Sequence, residues 1–285
     1  MQESKKMRFA VKVAYVGFNY NGYQRQKHTQ NTIESKIIDA LKRSNYISSL
    51  PESKLQAASR TDKGVSAIGQ VIAFSTDKSK IYLGKINHYL PSDIRAWAYT
   101  AVGNDFNPRK QAYLKHYVYI LHNEEINDFQ RIKEIADILK GEHDFKNLYI
   151  RDKRKVITKI KIDKIDVVKN NSFILVHFFA ERFLYGQIRK IISLMLMYDK
   201  HKISDTQILK ILSGKCIRIN IPPADSKRLI LLDVFFHNLK FNPSKTIIKK
   251  FIQKLTLSYI DHLMKSKVLL EMKHEISKNL EKSFF

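Results

Sequence analysis

The sequence predicts an α+β fold made of repeated strand–helix–strand units. Residues 8–16 alternate between apolar and other side chains, and a helix-capping sequence with an apolar stripe follows at 31–41. A strand at 112–121, followed by a helix and paired strands, repeats this order later in the chain. Strands and helices in such an order pack as a sheet against helices.

The first strand is predicted to be half-buried. Phe9, Val11, Val13 and Tyr15 recur at every second position of 8–16 and therefore share one face.

The first helix is predicted to begin at the capping-box sequence Asn31-Thr-Ile-Glu34. The apolar stripe of this helix consists of Ile33, Ile37, Ile38 and Leu41. After the helix, residues 69–74 indicate a strand.

The second series begins with the strand at 112–121, on which Tyr117 and Tyr119 share a face. A second capping-box sequence, Asn127-Asp-Phe-Gln130, predicts the next helix, and Gly141 is placed to close it. The stripe of that helix consists of Ile132, Ile135, Ala136 and Leu139.

A hairpin, further helices and a buried strand complete the pattern. Alternation over 156–168, the pair Asn170-Asn171 and the run 172–179 indicate two strands joined by a turn. The remaining elements are predicted at 183–197 (a helix on which Arg182, Gly186 and Arg189 share a face), 204–213 (a short helix), 229–236 (a buried strand) and from about Lys245 (a basic helix).

The charge balance points to a polyanionic partner. The chain has 51 Lys and Arg against 27 Asp and Glu, a formal net charge of +24. Lysine and arginine gain affinity for nucleic acid by releasing counterions from phosphates, although solvated lysines on every face would give the same balance.

Other classes of function find little support in the sequence. Cys216 is the only cysteine, which excludes an intrachain disulfide, and it is expected to be a small buried residue. No run approaches the length of a membrane span, and the N-terminus does not resemble a secretory signal, so the protein is expected to be cytoplasmic. Gly17 and Gly22 have the spacing of a phosphate loop, but Tyr23-Gln24 follows instead of Lys-Ser or Lys-Thr.

The loop Arg60-Thr-Asp62-Lys63-Gly64 contains a carboxylate between two cations. Neighbouring cations favour the charged, nucleophilic form of a carboxylate. An exposed loop with weak local ion pairs has the same pattern, and from charge alone it is the better interpretation.

Six blocks of sequence, spread over residues 8–236, resemble the tRNA pseudouridine synthase A family, in the order that the family shows. The first two are Tyr15-Val-Gly-Phe-Asn-Tyr-Asn-Gly-Tyr-Gln-Arg-Gln26 and Ser59-Arg-Thr-Asp-Lys-Gly-Val65; the others are Ile86-Asn-His-Tyr-Leu-Pro-Ser-Asp-Ile94, Phe106-Asn-Pro-Arg109 with Lys115-His-Tyr-Val-Tyr119, Gly141-Glu-His-Asp-Phe145 and Phe183-Leu-Tyr-Gly-Gln-Ile-Arg-Lys-Ile191. The second block looks more like archaeal and eukaryotic members than bacterial ones.

The chain departs from the family pattern at a few positions. Tyr23 stands where Trp is usual, Gln187 where Met is usual and Lys190 where Asn is usual, and Pro222-Pro223-Ala224 precedes a segment without the usual Glu-Gly-Leu. These departures affect the expected substrate contacts but leave Asp62 unchanged.

The resemblance implies two ferredoxin-like halves that form one continuous, mainly antiparallel sheet, with helices on one side and a central basic cleft. We expect residues 1–105 to form the half with the Asp62 loop and residues 106–240 to form the second half. Residues 241–285 lie outside the resemblance and are expected to be a basic helical tail that supports RNA binding or a dimer.

The resemblance also implies an activity: isomerisation of uridine to pseudouridine in the anticodon arm of tRNA, around positions 38–40, by a homodimer. It implies no metal and no redox cofactor. A tRNA- or RNA-binding protein without catalysis is the main alternative, and a ribosome-associated basic protein or a magnesium-dependent phosphoryl transferase are others.

The family's site residues transfer to three positions. Asp62 is the expected nucleophile, which attacks the ribose or deprotonates it; Arg189 pairs with Asp62 and holds it ionised; and Tyr117 stacks on the flipped uracil and serves in proton transfer. Arg60 is expected to fill the vacated position in the RNA stem or to contact a phosphate, with an ion pair to Asp62 as the alternative. Further phosphate contacts are expected from Arg25, Lys27, Lys63, Arg109 and Arg182.

His143-Asp144 resembles a catalytic dyad but is expected to cap or brace a helix end.

Overall fold

A computed structural model describes the backbone of residues 6–151, 156–215 and 219–282, with side chains described as far as residue 277. The chain separates into two compact units, Met1–Asn242 and Pro243–Phe285. Both predicted halves, 1–105 and 106–240, belong to the first unit. Cys216 lies outside the described residues.

The N-terminal part of the first unit has the topology of a ferredoxin-like half. Its strands lie in the order β4-β1-β3-β2, and each neighbouring pair is antiparallel. In chain order the elements are β1 (Met7–Tyr15), α1 (Ile33–Arg43), α2 (Leu50–Ser53), β2 (Gln56–Ala57), β3 (Ser66–Thr76), α3 (Leu83–Tyr89) and β4 (Ile94–Val102).

The C-terminal part of the first unit repeats this topology. Its main strands lie in the order β10-β5-β9-β8, again with antiparallel neighbours, while β6 and β7 form a separate two-stranded sheet. The elements are β5 (Ala112–His122), α4 (Phe129–Leu139), β6 (Gly141–Asp144), β7 (Lys159–Ile162), β8 (Lys164–Asn170), β9 (Phe173–Ala180), α5 (Gln187–Asp199), α6 (Asp205–Leu212) and β10 (Leu229–Phe236).

The two halves join through the parallel pairing of β3 with β10. Ile230 is in register with Ser66, and Leu231 with Ala67. The result is one large, mainly antiparallel sheet, which confirms the predicted α+β class and its two ferredoxin-like halves. Because the Asp62 loop directly precedes β3, it lies at this junction.

Strand β1 is buried on both faces, so the prediction of a half-buried strand was wrong. The strand lies between β3 and β4 inside the sheet, and the polar side chains on its second face have partners. Arg8 Nε donates to the carbonyl oxygen of Phe106 at 2.8 Å, and Lys12 Nζ lies 2.5 Å from an Asp233 carboxylate oxygen. These partners come from distant parts of the chain, which local alternation does not reveal.

Helices α1 and α4 each begin one residue later than the capping-box prediction. The N-cap of α1 is Thr32, whose hydroxyl accepts from the backbone N–H of Ser35. The N-cap of α4 is Asp128, whose carboxylate accepts from the N–H groups of Gln130 and Arg131. The predicted apolar stripes of both helices are buried, as expected.

Helix α5 begins at Gln187, not at 183 as predicted. Gly186, at its N-cap, has φ 66° in the left-handed region, and the backbone N–H of Ile150 donates to the carbonyl of Tyr185 at 2.8 Å. The segment before Gln187 is therefore a loop. Arg182 and Gly186 do not share a helix face with Arg189, and that prediction was wrong.

The predicted hairpin is present as β8 and β9, with Asn171 at the turn in the left-handed region. The alternating run at 156–168 divides into β7 and β8 around Asp163. The division arises because β7 pairs with β6, whereas β8 pairs with β9. One pattern in the sequence thus serves two separate sheets.

The second unit consists mainly of α7 (Lys245–Lys282), and the short strand β11 (Asn242–Pro243) spans the unit boundary. At 38 residues, α7 is about 57 Å long. It exposes many apolar side chains, including Leu257, Tyr259 and Leu269. No helix among the described residues is both long and apolar enough to cross a membrane.

Candidate active site

The Asp62 loop is held from one side by the glycine-containing segment that follows β1. The backbone N–H of Tyr23 donates to the carbonyl of Thr61 at 3.0 Å, and the N–H of Gly64 donates to the carbonyl of Tyr20 at 3.3 Å. A Cβ at Gly17 would clash with the backbone carbonyl of Val65. The two glycines of this segment therefore allow backbones to approach closely, which explains their spacing without a nucleotide site.

A network of buried polar side chains contacts the Asp62 loop. The hydroxyls of Tyr15 and Thr61 lie 2.8 Å apart. The Gln70 side chain accepts from the N–H of Ser59 at 3.1 Å and donates to the carbonyl of Ser59 at 2.8 Å. Because Gln70 is fully buried on β3, the loop is fixed to the sheet immediately before Asp62.

Asp62 and Arg189 form an ion pair that connects the two halves. Arg189 Nη1 lies 2.9 Å from Asp62 Oδ2, and the two side chains are 16% and 10% exposed. Arg189 Nε donates to the carbonyl of Ala224 at 2.6 Å. The predicted pairing is thus present, and a second hydrogen bond fixes the orientation of the guanidinium.

Burial and the ion pair act in opposite directions on the carboxyl group. Desolvation raises the pKa of Asp62, and the hydrogen bond and charge of Arg189 lower it, with burial the larger effect. The opposing contribution comes from Arg189 rather than from the chain neighbours Arg60 and Lys63. Arg189 is therefore the group that favours the carboxylate form of Asp62.

Tyr117 lies beside this pair on β5. Its hydroxyl is 2.6 Å from the hydroxyl of Ser59, and its ring meets that of Phe183 edge-on, with 5.4 Å between centroids. Burial raises the pKa of Tyr117 to about 12, and the field of Asp62 adds to the rise. The phenol is therefore neutral near pH 7 and can both donate and accept a hydrogen bond.

The six predicted RNA-binding residues are exposed cations, in contrast to Arg189. Arg25 lies 3.6 Å from a carboxylate oxygen of Glu34. Arg182 donates to the carbonyls of Ile157 and Lys159 at 3.4 Å. All six residues lie at the surface: Arg25, Lys27, Arg60, Lys63, Arg109 and Arg182.

Sequence reasoning missed the residues that hold the site in place. Ser59, Gln70 and the carbonyl of Ala224 each contact a predicted site residue or its loop. The role of Gln70 could have been predicted, because Gln70 is a lone amide within an apolar strand pattern. Nothing in the sequence indicates the role of the Ala224 carbonyl.

His143 and Asp144 are structural, as expected from the sequence. A ring nitrogen of His143 lies 2.9 Å from the carbonyl of Lys140, at the end of α4, and Asp144 accepts from the N–H of Lys146 at 3.0 Å. Among the residues that the structure describes, no cluster of three or more His, Cys, Asp or Glu is placed to hold a metal ion.

Comparison with known proteins covers most of the chain. Residues 135–237 match the family model described as tRNA pseudouridine synthase. A protein named tRNA pseudouridine synthase A from Methanothermobacter thermautotrophicus is 33% identical over 249 residues, which cover 87% of this chain and 88% of that protein. A protein of the same name from Thermococcus sibiricus is 34% identical over 265 residues, which cover 92% of this chain and 97% of that protein.

A weaker likeness is found among solved structures. A chain of a Cbf5–Nop10–Gar1 complex aligns with a TM-score of 0.36 and 13% identity, covering 66% of this chain and 44% of that chain. The sequence relatives are different, because they are matched along almost their full length at 30% identity or more. On that evidence, the chain belongs to the tRNA pseudouridine synthase A family and is a pseudouridine synthase.

Proposed function

We propose that the protein isomerises uridine in the anticodon arm of tRNA, around positions 38–40, and that Asp62 is its nucleophile. The observation that carries the proposal is the buried ion pair of Asp62 with Arg189 beside the neutral phenol of Tyr117. This is a buried carboxyl group paired with an arginine next to an aromatic ring, at the junction of two halves of a strongly basic protein.

The reaction needs a nucleophile or base and a group that retains the detached base. The bond between C1′ and N1 of uridine breaks, the uracil turns, and C1′ bonds to C5; the proton leaves C5 and N1 gains one, so that composition is unchanged. Asp62 attacks C1′ or removes a proton from the ribose, and both roles require the carboxylate. Arg189 serves by keeping that form populated.

Tyr117 is proposed to stack on the uracil while it is detached. Its ring is fixed edge-on by Phe183 and its hydroxyl by Ser59, so the ring does not reorient when the base arrives. The same hydroxyl is proposed to take part in moving the proton that leaves C5. Extruding the base from its stack costs a few kcal/mol, which contacts to the RNA offset.

The exposed cations are proposed to bind the RNA backbone. Arg60 occupies the loop beside Asp62 and is proposed to fill the position that the flipped base leaves or to contact a phosphate. Arg25, Lys27, Lys63, Arg109 and Arg182 are proposed as phosphate contacts, since their surface positions and the net charge of +24 suit a polyanion. The functional form is proposed to be a homodimer, as the family resemblance implies.

The test is to map pseudouridine in unmodified tRNA after incubation with the full-length protein. Mass spectrometry of nuclease fragments locates each modified uridine. We expect pseudouridine around positions 38–40 with the wild type and none with Asp62→Ala. Modification confined to another arm would contradict the proposed site. Binding without any pseudouridine would favour the alternative of an inactive tRNA-binding protein.

A further inference from the structure

A buried lysine on β5 is not used by the site described above. Lys115 is only 7% exposed, and it precedes Tyr117 by two residues, so both side chains leave the same face of the strand about 7 Å apart. Among the described residues, its ammonium group makes neither a hydrogen bond nor an ion pair within 4.0 Å. The Nζ atom itself is not fully buried and is accessible to a ligand. A lysine whose side chain is this deeply placed is normally paired with an anion.

The charges around Lys115 are mostly of its own sign. Arg109 lies in the turn before β5, and Glu181 and Arg182 follow β9, whose Ala180 is in register with Lys115. The register partner on β10 is the apolar Val234. Two arginines and one glutamate therefore act on Lys115 from these neighbouring segments.

This arrangement has a measurable effect on Lys115. The pKa of Lys115 is lowered to about 8, mainly by burial and then by the field of Arg109; Glu181 opposes the shift, and Arg182 adds to it. In the free protein the group therefore loses its proton over the pH range 7–9. A bound anion would reverse the shift by supplying the missing counterion.

We infer that Lys115, with Arg109 and Arg182, forms a binding site for a phosphodiester group of the RNA, adjoining the nucleotide whose base stacks on Tyr117. The inference rests on the proposed function and extends it to one buried group. A nucleotide carries its phosphate one sugar away from its base, and Lys115 is displaced from Tyr117 by one repeat of the strand. A phosphodiester stays anionic throughout the range in which Lys115 titrates.

The test measures affinity for an unmodified tRNA transcript between pH 7 and 9 at fixed salt. With a pKa of about 8, roughly nine-tenths of Lys115 is charged at pH 7 and roughly one-tenth at pH 9. If only the charged form binds phosphate, wild-type affinity falls about tenfold over this range. Lys115→Arg remains charged and should lose this pH dependence.

Lys115→Met supplies the complementary result. We expect affinity at pH 7 to fall to about the wild-type value at pH 9, and the salt dependence to lose about 0.7–0.9 of slope, the contribution of one phosphate contact. Lys110→Met is the matched control, because this exposed lysine lies in the preceding turn; it should keep the wild-type pH dependence. Thermal melting of each variant confirms that it is folded.

The proposal is overturned if Lys115→Arg retains the tenfold loss of affinity or if Lys115→Met binds as the wild type does. Pseudouridine formation in the same tRNA is measured in parallel. If the wild type forms pseudouridine but Lys115 has no effect on the pH dependence, only this inference is wrong. If the wild type forms none, the proposed function itself has failed.

Discussion

The guanidinium of Arg189 donates from Nη1 to Oδ2 of Asp62 across 2.9 Å, although 127 positions separate the two residues in the chain. The carboxylate comes from the loop before β3, and the arginine comes from the first turn of α5. Each ferredoxin-like half therefore supplies one member of the pair. The geometry of the site therefore depends on how the two halves are joined.

Replacing Asp62 by Ala should abolish pseudouridine formation while leaving tRNA affinity within about twofold. The carboxylate is needed for the chemistry, whereas most of the binding energy is expected from phosphate contacts elsewhere. Single-turnover assays and filter binding on the same tRNA separate the two quantities. Residual activity above the blank in Asp62→Ala would exclude Asp62 as the nucleophile.

Replacing Arg189 by Gln should move the acidic limb of the pH–rate profile to higher pH. Burial already raises the pKa of Asp62, and the variant removes the group that opposes this rise. The reactive carboxylate is therefore lost at a higher pH than in the wild type. Lys200→Gln, at the C-cap of the same helix, is the control and should leave the limb in place.

The same Arg189→Gln variant should be less stable near neutral pH, by about 3 kcal/mol, because it leaves a buried charge without its partner. The carboxyl pKa is then higher in the folded than in the unfolded state, so the deficit should shrink as pH falls toward the folded-state value. Urea unfolding at pH 5 and pH 7.5 measures this. A deficit that grows on acidification would contradict the assigned pKa direction.

Replacing Tyr117 by Phe should slow pseudouridine formation at least tenfold without weakening tRNA binding. The ring that stacks on the base remains, but the hydroxyl beside Ser59 is lost. Tyr119→Phe is matched to it, since Tyr119 is buried two positions farther along the same face. If both variants have the wild-type rate, the hydroxyl of Tyr117 has no part in proton transfer.

Replacing Gly17 by Ala should destabilise the protein by about 1–3 kcal/mol and reduce activity, because the added Cβ displaces the Val65 carbonyl and with it the Asp62 loop. Gly84→Ala is the control. No atom lies within 4 Å of a Cβ built there, in α3, and the change should be neutral or stabilising by up to about 1 kcal/mol. Thermal melting and an activity assay compare the two, and equal effects would contradict the proposed close approach.

Truncating the chain after Ser244 should weaken tRNA binding and reduce its dependence on salt. The removed helix carries nine Lys against four acidic residues over 245–282. Sedimentation of the free protein tests whether the helix also supports a dimer. If affinity, salt dependence and oligomeric state are all unchanged, both proposed roles of the tail are wrong.

Local patterns predicted most elements, because alternation and helical stripes report which residues face a core. They could not reveal that β1 is covered on both faces, since Arg8 and Lys12 find their partners in distant segments. They also extended α5 too far, because Gly186 has a left-handed backbone at the N-cap, and the helical spacing of the neighbouring residues does not reveal that conformation.

In the candidate site, too, the sequence predicted some residues and could not reveal others. Asp62, Tyr117 and Arg189 were identified through ordered blocks that resemble one family, and the structure places them together. Their supports were not identified. The hydroxyl of Ser59 and the carbonyl of Ala224 act through tertiary geometry, and a serine or a backbone carbonyl has no sequence pattern that indicates such a role.

Strand β3 pairs with β10, with Ser66 in register with Ile230 and Ala67 with Leu231. During synthesis the site can therefore form only after β10 has been made. The loop with Asp62 leaves the ribosome early, but its cationic partner and the strand that fixes the neighbouring segment follow much later. A nascent chain is therefore incompetent until almost the whole first unit has emerged. Products of premature termination before Arg189 would carry the carboxylate without its counterion, so we expect them to form no pseudouridine.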